Sequence, residues 1–166
     1  AMSVDDNVFL LGEDIGDPPG GVFKTTAGLQ TTYGAERVRP TPIAEQAIMG
    51  AAIGAAMAGY KVVAEIMMMN FTTVAMDMIV NHAAKLRFMS GGQTSVPIVI
   101  RTLTGAGWQT AGQHSDFLEG WFAHVAGIKV VCPAFPKDYK GLMLSAIQDP
   151  DPVIFIEAGG TFFQPQ

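Results

Sequence analysis

Short apolar runs punctuate this chain and alternate with stretches of helical period. The runs at 8–12, 62–67, 96–101, 128–132 and 153–157 are largely apolar at successive positions rather than at alternate ones. Such runs predict strands covered on both faces, as in a parallel sheet flanked by helices. The segments between them predict the helices. One spans 42–59, with Thr41 suited to the N-cap, Pro42 to the first helical position and Gly59 to the C-terminal end. A second spans 71–89. There Phe71, Ala75, Met78, Ile79, Ala83, Leu86 and Met89 fall on one side, and Gly91 and Gly92 stop it. A third starts at a Ser115 cap and runs to 125, and a fourth opens at Pro136 and runs to 148. The acidic, Gly- and Pro-rich stretch 12–21 and the Gly- and Thr-rich stretch 102–113 read as loops. The alternation predicts one α/β domain of three layers, α/β/α, with a mostly parallel sheet and no internal repeat or interdomain linker.

Composition adds a constraint on the surface. Hydrophobic residues make up 49 % of the 166 residues and charged residues 15 %. So little polar material predicts a partner chain or a homo-oligomer. The helix carrying Gly50 and Gly54 is predicted to pack closely against neighbours. A net charge of −5 argues against a nucleic-acid partner and against an anionic membrane surface. The longest apolar run, 47–60, is too short to span a bilayer. One cysteine allows no intramolecular disulfide, and no basic segment followed by an apolar one opens the chain. A cytoplasmic protein is the expectation.

Among chemistry-bearing residues, the run Thr-Pro-Ile-Ala-Glu at 41–45 places one carboxylate, Glu45, at the entrance of an apolar helix. A carboxylate against apolar surface is suited to sharing a proton with a ligand nitrogen. A first-turn Glu also complements the helix dipole, and from the residues alone both readings stand. Gly105 and Gly107 begin like a dinucleotide fingerprint, but the third glycine is missing. The glycine spacing 107–112 is followed by Gln113 and His114, where a phosphate loop needs Lys and Ser or Thr. Ser115 lacks the glycines of a nucleophile elbow. Cys132 reads as a buried small hydrophobe and His82 as a packed or interface histidine. His124 falls at a helix end. His114 differs: it ends a glycine-rich loop, where a mobile segment can present it to a ligand.

Several segments together carry a resemblance. They are Gly12-Glu13-Asp14-Ile15-Gly16, Thr41-Pro42-Ile43-Ala44-Glu45, Glu65-Ile66-Met67-Met68-Met69-Asn70-Phe71, Ala83-Ala84-Lys85, Met89-Ser90-Gly91-Gly92, Gln113-His114-Ser115 and Asp151-Pro152-Val153-Ile154. In this order and spacing the chain resembles the beta subunit of thiamine-diphosphate-dependent 2-oxo acid dehydrogenases, of pyruvate, branched-chain or acetoin type. The resemblance is to their transketolase-like pyrimidine-binding domain. It implies thiamine diphosphate as cofactor, with Glu45 bonded to the aminopyrimidine ring nitrogen, Phe71 stacked on the pyrimidine and Met67 lining the same slot. It implies a catalytic role for Glu45 and for His114, which would face the substrate and the acyl-carrying lipoyl group. It also implies a monovalent cation such as potassium, on backbone oxygens near Ile98, Ala146, Ile147, Asp149 and Asp151. Read by themselves, residues 149–152 are a plain turn.

The departures from the family pattern bear on activity. The family's diphosphate and Mg²⁺ motif, Gly-Asp-Gly, does not occur here. An alpha-type subunit is therefore the implied partner. The resemblance covers 1–157, the tail 158–166 is unlike the family, and the family's C-terminal domain is not present. Residues 108–110 replace smaller ones. These features predict a truncated chain that is inactive alone and serves as the pyrimidine half of a shared site. The alternative is a non-catalytic module acting in self-association or partner binding. Which 2-oxo acid would be used is not encoded in these residues.

Overall fold

The computed structural model describes residues 1–162, so residues 163–166 of the tail lie outside the described residues. Six strands form one sheet: β1 (Val8–Glu13), β2 (Val38–Thr41), β3 (Lys61–Met68), β4 (Ile98–Thr104), β5 (Lys129–Val131) and β6 (Val153–Ala158). Among the described residues five α-helices connect or follow them: α1 (Leu29–Tyr33), α2 (Glu45–Met57), α3 (Leu86–Met89), α4 (Glu119–Ala123) and α5 (Pro136–Gln148). The strand order is β2-β1-β3-β4-β6-β5. Every neighbouring pair is parallel. This is the open α/β sheet that the apolar runs predict.

Both faces are covered, which is why the strands read as nearly continuous apolar runs. Ala64, Ile66, Ile100, Ile154 and Ile156 pack beneath Ile48, Met49, Ala52 and Ile53 of α2 on one face. Val63, Val99, Val153 and Phe155 meet Ala146, Tyr139 and Met143 of α5 on the other. Among the described residues no helix is long and apolar enough to cross a membrane.

Several expectations are corrected. The helix placed at 42–59 begins at Glu45, and Thr41 is the last residue of β2 rather than a cap. Ala44 takes the N-cap position with no side-chain hydrogen bond. The strand wins because 38–41 pairs with β1, Leu10 facing Val38 and Glu13 facing Thr41. Pro40 is tolerated because β2 is an edge strand with no neighbour on its outer side. The helix placed at 71–89 is broken into a 3₁₀ turn (Met69–Thr73), a π turn (Met78–Ala83) and α3. Ala75, Ile79 and Ala83 remain buried as the period requires, but Met89 is 76 % exposed. A π turn inserts a residue, and each residue rotates the helix face by about 100°. Ser115 does not cap α4; its hydroxyl donates back to the Ala111 carbonyl at 2.8 Å. Gly50 makes an ordinary contact with Met78 and Gly54 meets open space, so the close approach expected of them is not made within the chain. Cys132 is exposed, just past the edge strand β5. His82 is exposed too, its Nε2 3.4 Å from the Asp77 carboxylate.

Candidate active site at the C-terminal edge of the sheet

In a parallel sheet every strand delivers its following loop to the same edge. The chain reverses its direction of travel across the sheet between β1 and β3, and such switch points open a crevice at the carboxyl ends of the strands. Glu13 ends β1, Glu45 follows β2, Phe71 follows β3, and His114 follows β4. Four chemistry-bearing side chains thus share one edge.

Glu45 is the first residue of α2 and is half-buried. Its acidic neighbour is Glu13, which the motif contained but to which no role was given. Burial, reinforced by the negative charges of Glu45, Asp14 and Glu65, raises the Glu13 carboxyl above the usual carboxylate range. The only sequence signal for Glu13 is an acid at the end of an apolar strand.

Phe71 and His114 meet directly. Their rings pack edge to face, with centroids 5.4 Å apart and an interplanar angle of 88°. Both are half-buried, and the buried Nδ1 of His114 has no hydrogen-bond partner among the described residues. Asn70, next to Phe71, ties the two loops together. Its amide nitrogen donates to the Asp116 carboxylate at 2.6 Å and to the Gly112 carbonyl at 3.4 Å. Met67 is half-buried at the register shift between Ile66 and Met68, where it is left without a partner on β4. It lines a narrow recess with Phe23, Thr25 and Leu103.

The residues assigned to a monovalent cation are close in the fold. Ile98 opens β4, Ala146 and Ile147 lie in the last turn of α5, Asp149 follows that helix, and Asp151 precedes β6. The carboxylates there already face cationic side chains. Lys129 Nζ donates to both oxygens of Asp149 at 2.6 and 2.7 Å, and Arg87 donates to Asp151 at 2.6 Å. A cation would therefore rest on backbone carbonyls. Among the described residues no three His, Cys, Asp or Glu side chains group as a metal site.

The charged trio Glu65, Arg101 and Glu157 was not foreseen. Arg101 bridges the two acids, bonding to Glu65 through Nη1 and to Glu157 through Nη2 at 2.5 Å and Nε at 3.1 Å. Burial is the largest influence on Glu65 and raises its carboxyl; Arg101 opposes this and Glu157 adds to it. A Cβ on Gly12 would lie 2.8 Å from the Glu65 Cβ, so only glycine fits beside it. The trio floors a cavity of about 400 Å³ walled by Leu10, Leu29, Val63, Met143 and Phe155.

Residues 1–161 match the family described as "Transketolase, pyrimidine binding domain". The chain belongs to that family. This pyrimidine-binding domain is also similar over nearly its whole length to beta subunits of larger enzymes. It is 47 % identical over 165 residues to the acetoin:2,6-dichlorophenolindophenol oxidoreductase subunit beta of Cupriavidus necator, covering 94 % of this chain and 48 % of that protein. It is 48 % identical over 156 residues to the mitochondrial pyruvate dehydrogenase E1 component subunit beta-2 of Oryza sativa subsp. japonica, covering 94 % of this chain and 41 % of that protein. The resemblance carried by the motifs is thus upheld, and the chain spans about half the length of the curated relatives it matches. A solved structure, "Split gene transketolase, inactive beta4 tetramer", superposes with a TM-score of 0.74 at 18 % identity, covering 95 % of this chain and 47 % of that one. That likeness is one of fold.

Proposed function

We propose that this domain supplies the pyrimidine half of a thiamine diphosphate site in the decarboxylating component of a 2-oxo acid dehydrogenase. The observation that carries the reading is that one sheet edge carries both Glu13 with Glu45 and the Phe71–His114 ring pair. The residues fit the group. A carboxyl group suits a basic ring nitrogen, an aromatic face suits a flat heterocycle, and an imidazole nitrogen without a partner among the described residues calls for a polar group. When bound, thiamine diphosphate supplies the electron sink that lets a 2-oxo acid lose carbon dioxide.

The chain's own part is positioning and proton handling. Glu45 meets the pyrimidine nitrogen as its hydrogen-bond partner, and the Glu13 carboxyl, raised chiefly by burial, stands near it. Phe71 offers apolar surface to the ring, and Met67 lines its approach. His114 turns toward the substrate and the lipoyl group that takes the acyl product. Diphosphate and Mg²⁺ fall to an alpha-type subunit, because no Gly-Asp-Gly motif occurs in this sequence. The carbonyls near Ile98, Ala146, Ile147, Asp149 and Asp151 take a potassium ion. The apolar surface, with Ile43 at 81 % and Phe88 at 84 % exposed, suits association with that subunit or a second copy.

Calorimetric titration with thiamine diphosphate and Mg²⁺ tests the reading, with and without an alpha-type subunit. Binding should need the partner. In the assembled pair Glu45→Gln should suppress hydrogen–deuterium exchange at the thiazolium carbon while leaving assembly intact. Equal exchange in the variant returns Glu45 to the role of complementing a helix dipole. No binding even with the partner leaves the domain as a non-catalytic association module.

A further inference from the structure

We propose that Trp108 is a positioning residue, whose indole seats on Gly159 and holds in place the loop that presents His114. The proposal rests on the role given to His114 above.

The loop runs from the end of β4 to the start of α4 and is not self-sufficient. Gln109 and Ala111 adopt φ of 58° and 66°. Residues with side chains keep such angles only where their surroundings enforce them. The hydrogen bonds inside the loop fix its shape: Gly105 N donates to the His114 carbonyl at 2.8 Å, and the Thr110 hydroxyl lies 3.1 Å from that of Ser115. They do not fix how the loop stands against the sheet. Among the described residues, contacts on either side of the loop do that. Asn70 holds one side through the exposed bonds to Gly112 and Asp116.

Trp108 holds the other side. Its ring lies against Phe23, with centroids 5.7 Å apart, and against Phe162 at 6.3 Å. It also lies against Gly159, where an added Cβ would come within 2.5 Å of two indole carbons. The seat is itself fixed. Gly159 opens the turn Gly159–Thr161 after β6. That turn is tied to α5 through the Tyr139 hydroxyl, which lies 2.5 Å from the Thr161 hydroxyl and accepts from Ala158 N at 3.3 Å. A continuous line of contacts therefore runs from α5 through Tyr139, Gly159 and Trp108 to the loop. It ends where His114 meets the edge of Phe71.

The test uses nuclear magnetic resonance on this chain. Trp108→Ala should raise amide exchange through 105–116 by about tenfold or more, while amides of β3 and β4 keep their protection and show that the fold is intact. The ring protons of His114 should lose the shift that the nearby Phe71 ring imposes. Trp108→Phe should restore most of both signals. Gly159→Ala should reproduce Trp108→Ala in the wild-type chain and add nothing in the Trp108→Ala background, where no indole remains to be displaced. An unchanged His114 signal in Trp108→Ala overturns the proposal, and so does loosening by Gly159→Ala that is equal in both backgrounds. None of these readouts involves thiamine diphosphate. A chain that shows them all and never takes the cofactor defeats the functional reading and leaves the Trp108 seat standing.

Discussion

The two faces of the sheet are made by the same strands and are built differently. On β3, β4 and β6 the positions that point toward α2 include Val62, Ala64, Ile66, Ile98, Ile100, Ile154 and Ile156, all within one apolar cluster. The alternate positions on those strands begin apolar, with Val63, Val99 and Phe155, and end charged, with Glu65, Arg101 and Glu157. One face is filled by a helix over mainly apolar residues, with the buried Thr102 as a polar member on β4. The other carries an ion trio under a cavity of about 400 Å³. The contrast teaches where stability and where sensitivity reside. Burial holds the α2 face, and removing volume there leaves a void. The opposite face depends on charge balance, and its walls have room to relax.

The largest expected effect breaks the charge balance. Arg101→Met leaves the Glu65 and Glu157 carboxylates buried with no counter-charge and should cost about 4 kcal/mol in urea unfolding. Glu65→Gln and Glu157→Gln added to that variant should recover most of the loss. A triple variant no more stable than Arg101→Met would show that volume, not charge, is what matters there. Next comes a volume comparison. Ile100→Ala, in the packed face, should cost about 3 kcal/mol. Leu10→Ala, a partly buried wall of the cavity, should cost about 1 kcal/mol. Equal losses would erase the distinction between the faces.

The smallest effect is a pH dependence from Glu65. Its folded carboxyl is raised, chiefly by burial, so the native state keeps a proton that the unfolded chain releases at about pH 4.3. The stability this proton supplies is full below that pH and is lost as pH rises through the folded value. Glu65→Gln should therefore gain stability relative to wild type as pH rises from about 4.3 toward neutrality. A difference that is flat across this range would mean that Arg101 offsets the burial of Glu65 completely.

Local pattern carried much of the fold. The helix expected at 136–148 has those bounds, because Pro136 opens it and the period continues to Gln148. The buried strands stand where the apolar runs placed them. The elements missed, α1 and β2, have little apolar content: α1 has no buried residue, and Val38 is the one buried residue of β2. Their place is set by pairing and by contacts with distant segments, to which a local pattern is blind. The candidate site divides similarly. Glu45 and His114 stood out from the residues around them, and Phe71 and Met67 only through resemblance. Glu13 gained meaning once β2 brought Glu45 beside it.

What the sequence determined by itself is the kind and order of the elements that carry the core, because hydrophobic period is a property of neighbours along the chain. It also determined the layering, because strands apolar on both faces must be covered twice. Only the tertiary structure decided which side chains meet. Arg101 lies 36 residues from Glu65 and 56 from Glu157. The three become partners through the order β3-β4-β6 and its register. Strand order and register are chosen by burial summed over the whole domain, and a shift of one residue would turn Arg101 to the opposite face. The meeting of Phe71 with His114, and of Trp108 with Gly159, depends on the same choice.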